Sequence, residues 1–513
     1  MAQTAVPEFG KLRSFFWPIH SYELKKFLPM FLMFFFISFN YTILRDTKDT
    51  LVVTASGAET IPFLKVWGVV PGAVIFMLLY AKLSNMLSKE ALFYTAIAPF
   101  LAFFALFAFF LYPNRELLHP TTSADYLQSF LPAGLGGLVA CYRDWTFSLF
   151  YILAELWGSA VLSLMFWGFA NDIMRVIEAK RFYTLFTLGA NIALLCSGPT
   201  IVYFSDIQSR LPPGVDPWQV SLNYLMSFVV ISGLGVVGVY YWMNRKVLTD
   251  VRFYNPDEEK KMKKTKPKMS IMESFAFLAK SRYILCIAIL VIAYGICINL
   301  VEVTWKGQLK LQYKNPNEYN AFMGLFSTLT GAVTIAMVFI GGWINRKKGW
   351  GFAAMMTPVV LLITGAAFFS FVIFRENLGG FITYFGTTPL MMAVIFGMMQ
   401  NIMSKSTKYS LFDPTKEMAY IPLDQESKVK GKAAIDVVGA RLGKSGGSFI
   451  QQGLLVTFGT LAAITPYVAG AMVVFIVVWM IAVRSLNRQF VALTHEKVET
   501  SAPKTGEPVK AGA

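Results

Sequence analysis

The sequence predicts an all-α membrane protein with twelve transmembrane helices in two six-helix halves. Three observations support this fold class. The chain has 513 residues, of which 55% are hydrophobic and only 15% charged, and its mean hydropathy is +0.53. Apolar runs of about 20 residues, the length that spans a bilayer as a helix, recur along the chain. The most basic segment lies near the middle of the chain. A soluble protein of this length is far less apolar.

Short charged or Pro/Gly-rich breaks separate the apolar runs and define the elements in order. We expect spans near residues 27–44, 62–81, 91–112, 146–170, 182–204, 220–243, 283–305, 320–344, 351–374, 379–403, 434–459 and 463–484. The corresponding domains are an N-tail (1–26), an N-terminal half (27–243), a basic linker (244–282), a C-terminal half (283–484) and a C-tail expected to be disordered (485–513).

The lysines and arginines predict the orientation of these spans. Most of the 46 basic side chains fall on one side of the predicted topology, together with both termini. The positive-inside rule places that side in the cytoplasm. The net charge of +16 is therefore mainly a topology signal, with anionic lipid contact as its by-product, and nucleic-acid binding is the weaker interpretation.

The sequence carries no clear targeting or metal-binding signal. The polar N-tail runs into the first span without a cleavage site or a transit-type presequence, which favours a bacterial inner membrane. The four cysteines form no Cys-x-x-Cys pair, and the three histidines lie far apart. We therefore expect no disulfide framework, metal site or cofactor.

The two halves show a faint internal similarity. The sequence "FWGFANDIM" at 166–174 is similar to "IFGMMQNIM" at 395–403, and "LGANIALLCSG" at 188–198 is similar to "VGARLGKSGGS" at 438–448. These segments fall in the fourth and tenth spans and in the fifth and eleventh, as a parallel repeat requires. With twelve spans and a central basic linker, this pattern favours a major-facilitator-like fold.

Ionisable residues inside spans are expensive and need a partner, water or a function. In "YILAELWGSAVLS", Glu155 shares a helical face with Ser159 and Ser163, a polar stripe that should face a cavity. A structural ion pair between two helices is the alternative interpretation.

A second polar face lies in "YGICINLVEVTWKGQLK", where Asn299, Glu302 and Lys306 follow helical spacing. An intrahelical Glu302–Lys306 pair is the alternative to a functional role. Arg45 and Lys48 come at the end of the first span, where they can serve function or extend to the headgroups as interfacial charges.

The segment "VVGARLGKSGG" at 437–447 superficially resembles a phosphate-binding loop. A Walker loop needs a glycine at position 438, which is Val438, and it needs a preceding strand that a membrane span cannot supply. The remaining features are glycines and two cations one turn apart, Arg441 and Lys444. The glycines fit close helix packing as well as close approach of a ligand, whereas the cations favour an anionic substrate.

Several motifs together resemble the nucleotide transporter family, the ATP/ADP translocases of rickettsiae, chlamydiae and plastids. They are "LRDTKDTLVVT" (44–54), "ELWGS" (155–159), "EVTWKGQLK" (302–310), "LFDPTKEMAYIPLD" (411–424) and "GKAAIDVVGARLGKSGGS" (431–448). The resemblance covers most of the chain and implies exchange of host ATP for bacterial ADP. It also implies that the important membrane charges of the family fall on Lys48, Glu155, Glu302 and Lys444.

We therefore expect a wet central cavity for a polyphosphate, with alternating access by rocking of the two halves. The predicted phosphate ligands are Lys48, Arg441, Lys444, Arg45 and Lys306. Glu155 and Glu302 are predicted to pair with lysines in the empty carrier or to hold polar parts of the nucleotide. The predicted adenine or ribose contacts are Tyr41, Asn299 and Trp305. We expect a monomer with no catalytic residue, and co-transport of phosphate stays open.

Three alternatives remain at this stage. A relative can import nucleotides with protons, or carry GTP, other nucleoside triphosphates or NAD. A membrane enzyme that hydrolyses ATP is disfavoured by the missing Walker frame. A channel or scaffold would lack saturable counter-exchange.

Overall fold

The structure is a computed structural model. It describes Arg13 and residues 17–207, 210–250, 252–253, 281–384, 386–424, 427–428, 431–432, 435 and 439–501. Most of the predicted N-tail (1–26) and most of the linker (244–282) lie outside these residues.

Within the described residues, the chain forms twelve helices of 19 residues or more. We label them in chain order as α1 (Leu24–Ser56), α2 (Thr60–Met86), α3 (Lys89–Leu111), α4 (Trp145–Ile173), α5 (Val176–Ser205), α6 (Pro217–Lys246), α7 (Arg282–Gln312), α8 (Pro316–Lys348), α9 (Trp350–Ile373), α10 (Pro389–Thr407), α11 (Ala440–Phe458) and α12 (Leu461–Ser501). Each of these helices overlaps one predicted span.

Ten of the helices in the described chain are long and apolar enough to cross a membrane. The other two, α10 and α11, have 19 residues each. Their polar residues lower the hydropathy without facing lipid, since Gln400 and Asn401 of α10 and Gln451 of α11 are fully buried. The Asn401 amide donates to the Gly397 carbonyl oxygen at 2.9 Å and the Gln451 amide to the Leu300 carbonyl oxygen at 3.1 Å, so these two side chains bond within the protein.

Local sequence signals set several helix ends. The Ser88 hydroxyl accepts a hydrogen bond from the Ala91 N–H at the start of α3, and Asp216 caps α6 in front of Pro217. Gly459 has a φ of 85° between α11 and α12, a conformation that favours glycine and reverses the chain there.

The chain packs as two compact units, which we call unit 1 and unit 2. Unit 1 contains Met1–Thr265, Val303–Ile335 and Gln452–Ala463; unit 2 contains Lys266–Glu302, Ala336–Gln451 and Ile464–Ala513. Unit 1 is centred on α1, which packs against α4, α5 and α6. It also includes one end of α7 and of α8.

The α8 end belongs to unit 1 because small residues allow close helix contact. A Cβ placed on Gly324 of α8 would lie 2.8 Å from the Gly198 carbonyl oxygen of α5. The two backbones therefore pack without intervening side chains. The division into six-helix halves stays a prediction, because these packing units do not follow it.

Three sequence-based expectations need correction. The first span was predicted to end at residue 44, but α1 continues to Ser56. The C-tail (485–513) was expected to be disordered, but α12 continues to Ser501, because the segment lacks proline and glycine and Phe490 stacks on Trp350 at 5.1 Å. Residues 502–513 lie outside the described chain.

The tenth span was predicted to begin at residue 379. Instead a short helix, Arg375–Thr383, ends before α10, and Thr388 caps the new helix by accepting a hydrogen bond from the Met391 N–H. Pro389 suits the first turn of a helix, so a new helix begins there.

Candidate functional site

The end of α1 carries four charges within five residues, and all four lie inside the helix. Asp46 and Asp49 are fully buried, and Lys48 is 3% exposed. Arg45 has a side chain 14% exposed. The sequence-based alternative of interfacial charges reaching for headgroups does not fit this burial, so these groups need partners in the protein.

Asp49 lies between two lysines from different helices. One carboxylate oxygen is 2.9 Å from Nζ of Lys48, and the other is 2.8 Å from Nζ of Lys306 on α7. Lys48 also lies 3.3 Å from a carboxylate oxygen of Glu155 on α4. We call Lys48, Asp49, Glu155 and Lys306 the charge network, and all four belong to unit 1.

Helix α4 holds Glu155 and Tyr151 towards Lys48. The Lys48 ammonium lies 3.8 Å from the centre of the Tyr151 ring, one turn before Glu155, which adds a cation–π contact. The Trp157 indole N–H donates to the Ile37 carbonyl oxygen at 3.2 Å and fixes α4 against α1.

The helix then widens into a π-helical segment, Gly158–Phe166, immediately after this site. Within it the Ser163 hydroxyl donates to the Gly158 carbonyl oxygen at 2.9 Å. Ser159 and Ser163 are exposed, and the Glu155 side chain is 26% exposed. The predicted polar stripe of α4 is thus accessible, and π-helical turns of this kind occur often at functional sites.

A second set of contacts joins α1 to α8. The Arg45 guanidinium donates to Asp46 at 2.9 Å and to the Ser327 hydroxyl at 2.6 Å, and that hydroxyl is also hydrogen-bonded to Asp46. One turn further, the Thr50 hydroxyl donates to the Asn320 side-chain oxygen at 3.0 Å. Arg45 therefore connects parts of the two predicted halves.

The charge network is balanced. Its two ammonium groups and two carboxylates sum to zero, and the Arg45–Asp46 pair is neutral as well. A buried pair that loses one partner typically costs about 3–5 kcal/mol. An incoming anion would compete with these carboxylates for the lysines, so the arrangement suits a reversible anion site.

Lys306 has a partner that the sequence analysis did not predict. Lys306 makes its 2.8 Å ion pair with Asp49 on α1. Glu302 lies one turn earlier on α7, is half-buried and belongs to unit 2. Lys306 therefore links α7 to α1, and such a link fits either a structural or a functional role.

The glycines of α11 have a packing role. A Cβ on Gly295 of α7 would lie 2.6 Å from the Gly443 Cα, and a Cβ on Gly447 would lie 2.9 Å from the Asn299 Cβ. The Gln451 amide also donates to the Leu300 carbonyl oxygen at 3.1 Å. Packing of α11 on α7 thus accounts for these glycines. Arg441 and Lys444 lie at the start of α11, but their side chains are outside the described structure.

The three nucleoside candidates are distributed between the units. Tyr41 packs its ring against Gly158, where a Cβ would lie 2.6 Å away. Trp305 is fully buried, with its ring centre 5.0 Å from that of Phe326. Asn299, in unit 2, is 6% exposed and donates to the Gly295 carbonyl oxygen at 2.8 Å. In this structure Trp305 and Asn299 make contacts typical of packing.

The sequence interpretation missed Asp46 and Asp49. The signal was available, because "RDTKD" places four charges in a segment that is apolar on both sides. The sequence analysis considered only the cations of this segment, whereas the fold makes the aspartates the groups that hold those cations in place.

Comparison with known proteins places this arrangement in a family. The sequence profile of the family described as TLC ATP/ADP transporter matches residues 2–490. The chain belongs to this family. "ADP,ATP carrier protein 1" of Chlamydia muridarum is 61% identical over 513 residues, covering 99% of this chain and 97% of the relative.

More distant relatives extend the same match. "ADP,ATP carrier protein 1, chloroplastic" of Arabidopsis thaliana is 55% identical over 92% of this chain and 76% of its own length. "ADP,ATP carrier protein 1" of Rickettsia bellii is 45% identical over 95% of this chain and 97% of its own. The resemblance seen in the motifs is thereby confirmed.

Solved structures support the fold. A bacterial homologue of the iron transporter ferroportin, in an inward-facing state, has a TM-score of 0.55 at 13% identity, covering 91% of this chain and all of that one. A D-xylose–proton symporter has a TM-score of 0.53 at 11% identity, covering 91% and 97%. At these identities the likeness concerns the fold alone, and it confirms the predicted major-facilitator-like class.

Family membership also decides between two of the function classes. The TLC ATP/ADP transporter family consists of transporters, so the chain is a multi-pass membrane transporter and not an ATP-hydrolysing enzyme.

Proposed function

We propose that this protein exchanges ATP for ADP across a membrane by alternating access. The observation that carries the proposal is the full-length similarity to proteins named ADP,ATP carriers, 61% identical over 99% of the chain. In a bacterium living inside a host cell, the direction is uptake of external ATP against internal ADP through the inner membrane. Both termini then face the cytoplasm.

The charge network supports a specific role for unit 1 in this exchange. Lys48 and Lys306 are held by ion pairs with Asp49 and Glu155. The phosphate tail of ATP or ADP carries several negative charges and competes with these carboxylates for the same ammonium groups. Binding therefore loosens contacts that join α1 to α7 and α4, and this loosening favours a change of conformation.

The same competition explains why exchange is favoured over net transport. When the nucleotide leaves, the carboxylates pair again with the lysines and stabilise the empty carrier in its present conformation. Rearrangement of the empty carrier would have to break those buried pairs without a replacement anion, at a cost of about 3–5 kcal/mol for each pair. A newly bound nucleotide removes that cost.

Further ligands are proposed from the sequence. Arg441, Lys444 and Arg45 are proposed as further cations for the phosphates, and Glu302 is proposed as a second gating carboxylate. Tyr41 is the favoured adenine contact among the three candidates, because it is half-exposed and lies beside the α4 stripe. The transporter works as a monomer in this proposal.

Counter-exchange in proteoliposomes tests the function. Vesicles containing the purified protein are loaded with ADP, ATP, GTP, NAD or no nucleotide, and uptake of labelled ATP is measured. We expect rapid uptake only with internal ADP or ATP. Uptake that is independent of internal nucleotide and abolished by a protonophore would instead establish the proton-coupled importer.

The ligand assignment has its own test. Lys444→Gln should raise the apparent KM for ATP by about 10–100-fold, because a hydrogen bond to a charged group contributes about 1.5–3 kcal/mol. Lys347→Gln, at an exposed position at the end of α8, is the matched control and should transport normally. Glu155→Gln should insert in the membrane but lose exchange. A fully active Glu155→Gln variant would leave that residue with a structural role only.

A further inference from the structure

A basic cavity of unit 2 lies between the start of α7 and the second half of α12. Its volume is about 610 Å³, and its lining residues are Arg282, Ile481, Arg484, Ser485, Arg488 and Gln489. Three of these six residues are arginines from two different helices. The cavity shares no residue with the charge network and has no part in the exchange described above.

The three arginines make this cavity cationic. Within the described chain, no aspartate or glutamate forms an ion pair with any of them, and all three are exposed. Other arginines near helix ends do have acidic partners, since Arg245 pairs with Glu90 at 3.3 Å and Arg181 pairs with Glu23. Three guanidinium groups around one cavity repel each other, so this cavity favours an anion.

An apolar stripe leads along α12 to the cavity. Val474, Val478 and Ile481 are 61%, 42% and 59% exposed and follow each other at intervals of four and three residues. The same spacing continues through Ser485 and Arg488, which line the cavity. The exposed apolar stripe and the arginines therefore lie on one helix face.

The dimensions of this face match one leaflet of a bilayer. Ten residues separate Val474 from Arg484, which corresponds to about 15 Å along a helix. That length is half of a hydrocarbon core about 30 Å thick. On α7, Arg282 is likewise followed one turn later by Leu285, which is 40% exposed.

We propose that this face binds an anionic phospholipid. The phosphodiester lies in the cavity and accepts hydrogen bonds from Arg282, Arg484 and Arg488, and an acyl chain lies along Val474, Val478 and Ile481. A soluble phosphate would need no apolar stripe, so the continuity of the two features favours a lipid. A zwitterionic headgroup brings its own cation towards the arginines, so the site selects phosphatidylglycerol or cardiolipin over phosphatidylcholine.

Lipid retention on the full-length protein tests the site. The protein is purified in detergent, depleted of lipid and titrated with phosphatidylglycerol or phosphatidylcholine, and bound lipid is counted by native mass spectrometry. We expect tight binding of phosphatidylglycerol only. The triple variant Arg282→Gln, Arg484→Gln, Arg488→Gln should bind it about 100-fold more weakly.

A matched control removes the same number of charges elsewhere. The triple variant Arg346→Gln, Lys347→Gln, Lys348→Gln changes the exposed end of α8 and should bind phosphatidylglycerol as the wild type does. Equal binding by the cavity variant and the wild type would overturn the proposal. Displacement of the lipid by millimolar inorganic phosphate would also overturn it, because the site would then hold a free anion.

Two further measurements make the test independent of how well the triple variant folds. Ile481→Asn keeps all three arginines but interrupts the apolar stripe, and it should weaken phosphatidylglycerol binding about tenfold. Wild-type protein should unfold at a higher temperature with phosphatidylglycerol than with phosphatidylcholine. Identical melting temperatures in the two lipids would contradict a bound anionic lipid.

Discussion

Asp49 is the residue on which the charge network depends, because its carboxylate contacts both lysines. In Asp49→Asn, Lys48 keeps its contacts with Glu155 and Tyr151, whereas Lys306 loses its ion pair with Asp49. We expect the empty protein to lose about 3–5 kcal/mol of stability. The freed lysines should bind nucleotide more tightly, so the apparent KM for ATP should fall. Slower release should lower the maximal exchange rate. Transport kinetics and thermal unfolding with and without ATP measure these effects.

Asp49→Glu is the control for this prediction, since it restores the charge with one added methylene and should recover part of the exchange rate. Asp46→Asn removes a buried carboxylate that holds Arg45 and Ser327 rather than the two lysines. It should destabilise the protein without lowering KM. If Asp49→Asn leaves both KM and stability unchanged, the hypothesis that the Asp49 carboxylate and phosphate compete for the two lysines is wrong.

Sequence reasoning identified the unusual charges but not how they pair. Glu155 and Glu302 stood out because ionisable groups are costly inside apolar segments, whereas Lys48 was selected mainly by the family resemblance. Their pairing depends on which helices are neighbours, and no spacing along the chain encodes that. Asp49 was therefore overlooked, although it bridges Lys48 to a lysine 257 positions later in the chain, at 2.8 Å. Trp305 had the same difficulty, because packing on Phe326 is visible only in the fold.

At the level of elements, the contact of α7 with α11 depends on backbone proximity. A Cβ on Gly295 would lie 2.6 Å from both Cα and the carbonyl carbon of Gly443. Gly295→Ala must therefore separate the two helices, and such overpacking typically costs about 1–3 kcal/mol. We expect a lower melting temperature and, because α11 carries Arg441 and Lys444, weaker ATP binding.

Gly453→Ala is the matched control on α11, because a Cβ there has no neighbour within 4 Å. Alanine favours helix over glycine by about 1 kcal/mol, so this variant should be as stable as the wild type or slightly more stable. Equal melting temperatures for Gly295→Ala and the wild type would show that the helices can separate without cost.

The connection between α3 and α4 contains a pH-sensitive contact. His119 accepts or donates a hydrogen bond with Thr146 at 2.6 Å and lies 3.4 Å from Asp144. Burial lowers the pKa of His119 below 6.5, Asp144 opposes this shift, and Arg115 adds to it. The folded protein therefore favours the neutral ring. Its stabilising contribution is complete above pH 6.5 and is lost as the pH falls through the lower folded-state pKa.

We expect His119→Gln to show a shallower fall in melting temperature than the wild type when the pH is lowered from 7 to 5. Glutamine can keep a hydrogen bond with Thr146 but does not titrate in this range. An equal fall in melting temperature for the variant and the wild type between pH 7 and pH 5 would show that protonation of His119 has no effect on folding.

Element positions followed well from hydropathy, whereas element ends did not. Periodic apolar runs located all twelve helices, because bilayer thickness fixes their length. The predicted end of the first span at residue 44 was wrong because the buried charges that follow are helical, and hydropathy cannot distinguish a buried ion pair from a loop. The π-helical segment after Glu155 has no composition signal of its own.

For the whole molecule, the sequence predicted the fold class but not the packing units. Twelve apolar runs and a central basic linker were sufficient for the major-facilitator-like class that the solved structures support. Unit 1 nevertheless includes Val303–Ile335 and Gln452–Ala463 of the C-terminal half. Contacts such as Gly324 on Gly198 decide this division, and they bring together residues distant in sequence.

The topology of the whole chain gives a final prediction. An even number of spans places both termini on one side, and most of the 46 lysines and arginines fall on that side, including the basic linker 244–282. Translocation of so many cations is unfavourable, so we expect the termini and linker in the cytoplasm.

Cysteine labelling tests this topology in a background without the four native cysteines. A cysteine introduced at Ala2, in the linker at Lys263 or at Ala513 should react with a membrane-impermeant maleimide only in inverted vesicles. Leu117→Cys, at a position 87% exposed between α3 and α4, should react in intact cells. Labelling of only one terminus in intact cells would mean an odd number of spans, which is incompatible with two six-helix halves.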